Sequence, residues 1–89
     1  MSPIRHPRPE AGRRFLIIGA SGGIGYAVVR LLVERGARLG AHYYRHPGPL
    51  RRLLAGGRLS GSQIRLYQAE LRTQRRCHDL VDRFVRWAG

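Results

Sequence analysis

Lysine is absent. All 17 strong cations are arginine, set against five acids, so the 89-residue chain carries a net charge of +12. Without lysine there is no Schiff-base amine, no Walker-type phosphate lysine and no Tyr-x-x-x-Lys pair. Cysteine is nearly absent. The single Cys77 excludes an intrachain disulfide framework and a multi-cysteine zinc site, and it reads as a small core residue. Long apolar runs are missing too, so no segment reaches the roughly 20 residues a membrane-spanning helix needs. The first twelve residues lack the apolar stretch of a secretory signal. A cytoplasmic protein without membrane contact is the expectation.

The four histidines do not converge. His6 lies in a proline-rich N-terminal stretch, and His42 and His46 flank the end of a strand. His78 adjoins Cys77, but adjacent helical residues point apart. No metal site is expected. A pI near 11.7 favours polyanionic partners. The arginines are spread over the whole chain, however, and are not interleaved with stacking aromatics. That pattern predicts loose, salt-sensitive adhesion to nucleic acid rather than specific recognition.

Residues 1–12, with three prolines before Gly12, read as a flexible arm, and residues 13–89 as one small unit. Phe15-Leu16-Ile17-Ile18 is an apolar run ending at Gly19, as in a strand of a parallel sheet buried on both faces. A helix to about Arg35 is predicted from the stripe Ile24, Ala27, Val28, Leu31 and Leu32, with Gly36 as its C-terminal glycine. Tyr26 reads as an exposed or boundary residue of that helix. Ala37–Tyr44 reads as a second strand, weakened by Gly40. A break at His46–Pro49 precedes a short helix, Leu50–Ala55, and a loop from Gly56 to Ser62. Gln63–Ala69 alternates like a strand with one wetter face. Thr73 can cap a last helix running to about Trp87, with a stripe of Cys77, Leu80, Val81, Phe84, Val85 and Ala88. The order β-α-β-α-β-α implies an α/β fold: a partial Rossmann-type, doubly wound parallel sheet with right-handed crossovers.

The stretch Gly19-Ala20-Ser21-Gly22-Gly23-Ile24-Gly25 leaves a buried strand and opens an amphipathic helix. A helix start offers unpaired N–H groups and the positive end of the macrodipole, so a diphosphate can settle there if the backbone comes close enough. Gly19 would allow the tight turn, Gly23 the approach to the diphosphate and Gly25 close helix packing. The N–H of Ile24 would join that of Gly23, and Ser21 can donate its hydroxyl to a ribose or phosphate oxygen. A plain glycine turn is the bland alternative. The strand, helix and unit length around it favour dinucleotide binding.

With the spacing Gly-x-x-x-Gly-x-Gly, Ile18–Gly25 resembles the Thr-Gly-x-x-x-Gly-Ile-Gly cofactor turn of the short-chain dehydrogenase/reductase family, Ile18 standing where the family has threonine. The resemblance runs over residues 13–88, and within it only the glycine motif is specific. It implies strand order 3-2-1 and hydride transfer between a nicotinamide cofactor and a carbonyl or alcohol. The second strand ends in His42-Tyr43-Tyr44-Arg45-His46 with no acid to accept from a ribose 2′-hydroxyl. Arg45 there can clamp a 2′-phosphate, as basic residues do in the family's NADP-preferring members, so NADP(H) is expected over NAD(H). Glu70, after the third strand, stands where the family commonly has an aspartate on the adenine amino group.

The family's Asn-Asn-Ala-Gly segment, serine and Tyr-x-x-x-Lys pair all follow a fourth strand, before which this sequence stops. Tyr26 and Arg30 share the pair's spacing but lie beside the phosphate turn. The expectation is therefore an NADP(H)-binding N-terminal half whose catalytic residues are absent and which is inactive alone. The free edge of the first strand invites self-association. The alternatives are a non-catalytic nucleotide-binding or interaction module and, more weakly, an arginine-rich nucleic-acid-binding protein.

Overall fold

The computed structural model describes residues 10–56 and 63–89. Three strands, β1 (Arg14–Ile17), β2 (Arg38–Tyr43) and β3 (Ile64–Gln68), alternate with three helices, α1 (Gly23–Glu34), α2 (Gly48–Ala55) and α3 (Gln74–Ala88). All pairings are parallel, in the order β1-β2-β3, which is the expected 3-2-1 order. Parallel neighbours need a crossover, and α1 and α2 supply the two. Residues 1–9 of the proposed arm, His6 among them, lie outside the described residues. So does the expected loop from residue 57 to 62. Glu10 belongs to a turn in which its N–H donates to the Arg35 carbonyl at 3.0 Å.

Strand alternation sorts the core into two layers. Phe15, Ile17, Leu39, Ala41, Ile64 and Leu66 face α1 and α2, where they meet Val29, Val33 and Leu50. Leu16, Gly40, His42 and Tyr67 lie on the opposite face, where Tyr67 and Leu16 pack with Leu80, Phe84, Trp87 and Ala88 of α3. Gly40 makes that second layer possible: a Cβ there would stand 2.5 Å from Phe84 Cδ1 and 3.0 Å from Tyr67 Cε2. The glycine expected to weaken β2 is thus the seat of a ring from α3.

Two helical stripes differ from expectation. On α1, Ile24, Val28 and Leu31 are 85%, 37% and 49% exposed, and Ala27 is exposed too. The buried row is Val29 and Val33, supported by Tyr26 and Leu32. α1 carries apolar residues on more than one side, so periodicity fits two rows equally well. The roll of the helix is decided by Gly25, which presses on the turn before it. On α3, Val81 and Val85 are exposed, while Trp87 packs inward. β1, expected to be buried on both faces, is only half-buried. Among the described residues its outer edge pairs with nothing, and the exposed rows of α1 and α3 add apolar surface that a buried helix would cover.

Helix ends follow ordinary chemistry. The Thr73 hydroxyl oxygen accepts the Arg76 N–H at 3.2 Å, and Gly36 leaves α1 with φ +87°. α2 starts two residues earlier than expected, because Pro49 fits its first turn, where a missing N–H costs nothing. Arg14 and Arg38 are register partners, an unfavourable like-charge pair. Both guanidinium groups donate to the Ala88 carbonyl, at 3.3 and 3.0 Å, and that of Arg14 also to the Gly89 carbonyl. The negative end of α3 thereby offsets their repulsion.

Candidate functional site

The glycine turn lies at the C-terminal ends of the three strands, where ligands bind in open parallel sheets. Gly19 has φ +69°, a left-handed conformation that favours glycine. Its carbonyl accepts the Gly22 N–H at 3.2 Å and closes the turn. Gly22 is the N-cap of α1, and the first helical bond runs from the Tyr26 N–H to the Gly22 carbonyl at 2.8 Å. The N–H groups of Gly23, Ile24 and Gly25 therefore have no acceptor within the helix. Among the described residues no side chain caps them.

The glycines have separable reasons. A Cβ on Gly25 would stand 2.3 Å from the Gly19 carbonyl oxygen and 3.0 Å from Ala20 Cα. Only glycine lets α1 start this close to the turn. A Cβ on Gly23 would meet nothing within 4 Å, so that position fronts open space. Ile24 extends into solvent beside it. Ser21 is half-buried.

The ends of β2 and β3 form a second cluster. The Tyr44 hydroxyl donates to Glu70 Oε2 at 2.8 Å, while Arg76 and Arg72 approach Oε1 at 3.2 and 3.4 Å. The Arg45 guanidinium lies over the Tyr44 ring, 4.8 Å from its centroid. Arg45 and Glu70 are thus joined through Tyr44, which the sequence reading passed over. These are exposed or half-exposed ion pairs and add little to stability. What they do is fix the orientation of charge at this rim of the sheet.

His42 is the other residue that sequence reasoning missed. Only 6% exposed, it holds the turn from below. The Gly19 N–H donates to His42 Nδ1 at 3.0 Å, and the Ala20 N–H donates to the His42 carbonyl at 2.8 Å. Nε2 lies 2.8 Å from the Ala69 carbonyl oxygen. A main-chain N–H can only donate and a carbonyl can only accept, so the ring is neutral, with its proton on Nε2. One imidazole thereby ties together the ends of all three strands. The available sequence signal was a polar ring at the last inward position of an apolar strand. Elsewhere, burial pushes the Tyr67 phenol above its usual value, against the pull of Arg65, Arg83 and Arg38. Cys77 is half-buried.

A crossover sheet with a glycine turn and an open helix start defines a Rossmann-like α/β unit, and the comparisons narrow it. The short chain dehydrogenase family matches residues 13–89, and the chain belongs to that family. Among curated proteins none matches. A short-chain dehydrogenase/reductase of unknown function from Caenorhabditis elegans, solved with cofactor, superposes with a TM-score of 0.78 at 22% identity over 93% of this chain. A protein described as a 3-oxoacyl-reductase, from Bacillus thuringiensis, gives 0.70 at 18% identity over 80%. The chain spans 31% and 29% of the lengths of these two proteins. At these identities the likeness speaks for the fold. No helix among the described residues is long and apolar enough to cross a membrane.

Proposed function

We propose that this chain forms the adenosine and diphosphate side of a nicotinamide dinucleotide site, with NADP(H) preferred. The observation that carries the reading is the start of α1. Three N–H groups without helical acceptors stand beside a glycine whose missing Cβ leaves open space. An anionic diphosphate matches both the donors and the helix dipole. Gly19, Ser21, Gly23, Ile24 and Gly25 hold the diphosphate and the adjoining ribose. Arg45, kept over Tyr44, supplies a cation for the 2′-phosphate. Glu70 accepts from the adenine amino group with the lone pairs its protein partners leave free.

When bound, the cofactor supplies hydride chemistry toward a small carbonyl or alcohol compound. The residues of this chain bind and orient it. They include no lysine, so the 89 residues hold cofactor and do not by themselves reduce a carbonyl. The edge of β1 that is free among the described residues, together with exposed Ile24, Val28, Leu31, Val81 and Val85, serves self-association.

The test is calorimetric titration with NADPH and NADH. A Cβ at Gly23 meets nothing within 4 Å, so the Gly23→Val variant should keep its circular dichroism spectrum. It loses at least tenfold in NADPH affinity. Equal affinity for variant and wild type would overturn the assignment of the turn.

A further inference from the structure

We propose that His42 is the positioning residue of the phosphate-binding turn and holds it only while the imidazole is neutral. The inference rests on the reading of the turn as a diphosphate site. Three contacts carry it. Nδ1 accepts the Gly19 N–H at 3.0 Å, Nε2–H donates to the Ala69 carbonyl at 2.8 Å, and the main-chain carbonyl accepts the Ala20 N–H at 2.8 Å. Gly19 is the residue whose carbonyl closes the turn onto Gly22 and lies against Gly25. The position of Gly19 therefore sets where the N–H groups of Gly23, Ile24 and Gly25 point.

A second proton on the ring must go to Nδ1, because Nε2 already carries one. That proton would face the N–H of Gly19, donor against donor. The side-chain bond to the turn is then lost, and the Ala20 N–H on the His42 carbonyl is the remaining tie. Imidazole is the side chain that gains a proton in the weakly acidic range. β3 brings Tyr67, the register partner of His42, and Glu70, one residue past Ala69 and already engaged by Arg72 and Arg76. On α3, Arg76, Asp79, Asp82 and Arg83 are exposed and Cys77 is half-buried. Tyr43 ends β2, and Tyr44, Arg45 and His46 follow it. The turn and α1 bring no charged residue before Arg30.

The experiment compares wild type, His42→Asn and His42→Leu for NADPH affinity between pH 8 and pH 5.5. Asparagine keeps an oxygen acceptor near the place of Nδ1 and cannot titrate there. Leucine removes both side-chain bonds. The NADPH phosphates titrate alike in every arm, so only the difference between proteins counts. Wild type should lose about tenfold more affinity on acidification than His42→Asn. His42→Asn should match wild type within about threefold at pH 8, and His42→Leu should bind at least tenfold more weakly at both values. An identical pH profile in wild type and His42→Asn, or unchanged affinity in His42→Leu, overturns the proposal. Nitrogen-15 spectra of free wild type provide a readout independent of ligand. The Gly19 amide and His42 Nδ1 should shift with one common midpoint. If they do so and no NADPH binds at pH 8, the turn has been misread as a diphosphate site while the His42 tie stands. If the Gly19 amide is indifferent to the imidazole, the proposal fails whatever binds.

Discussion

At the scale of single residues, the glycines of the turn separate folding from binding. Gly25 is fixed by the Gly19 carbonyl, which lies closer to its missing Cβ than any real side chain tolerates. Backbone on backbone cannot yield by a rotamer change. Gly25→Ala should therefore cost about 1–3 kcal/mol, the usual range for overpacking, read as a lower urea midpoint. Gly23→Ala should leave that midpoint unchanged. Arg45 is the corresponding residue for selectivity. Its guanidinium rests on the Tyr44 ring and is exposed, so replacing it disturbs no core. Arg45→Asp should move the preference from NADPH toward NADH by about 1.5–3 kcal/mol, the range for charged hydrogen bonds. Unchanged relative affinities would make Arg45 an ordinary surface arginine.

At the scale of elements, α3 is the least conventionally held part. It sits on β2 only because Gly40 leaves room for Phe84, and it leans on Tyr67. Tyr67 is 3% exposed, and burial raises its pKa above 10.0 by penalising the phenolate. The neutral form is the one the fold accepts. That stabilisation is complete below pH 10 and is lost as the pH climbs through the higher folded-state value. Thermal stability should therefore fall above about pH 10, and Tyr67→Phe should flatten that alkaline limb. A limb of equal steepness in the variant would move its origin elsewhere. The strands and their order were legible because Phe15–Ile18 is a short apolar run, Gln63–Ala69 alternates apolar and polar residues, and Gly36 and Thr73 punctuate the helices. The buried faces of α1 and α3 were not. Each helix has two apolar rows, and contact with Gly19 and with Gly40 chooses between them. The candidate site was half legible. Glycine spacing marks the turn, but His42 acts through main-chain atoms 23 and 27 residues away, which no spacing rule reaches.

At the scale of the whole molecule, two tendencies oppose one another. β1 has a free edge among the described residues, and Ile24, Leu31, Val81 and Val85 leave apolar surface on the two helices. Such an edge seeks a partner. A net charge of +12 resists bringing two copies together. Salt screens that repulsion over about 10 Å at 0.1 M and leaves apolar contact intact. Self-association measured by light scattering should therefore rise with salt, and Leu31→Glu with Val85→Glu should suppress it. Adhesion to nucleic acid, if charge alone drives it, falls over the same salt range. The two processes can thus be separated in one titration. A mass that stays monomeric at every salt concentration would show that the free edge is quiet.

The central claim is that the open N–H groups at the start of α1 receive a dinucleotide diphosphate. An amide-resolved NMR titration with NADPH tests it most directly. The account predicts that the largest shifts fall on the amides of Gly23, Ile24 and Gly25, that Ser21 moves with them, and that the same peaks stay still in Gly23→Val. Shifts spread over the arginines of the surface, with the Gly23–Gly25 amides unmoved, would contradict it.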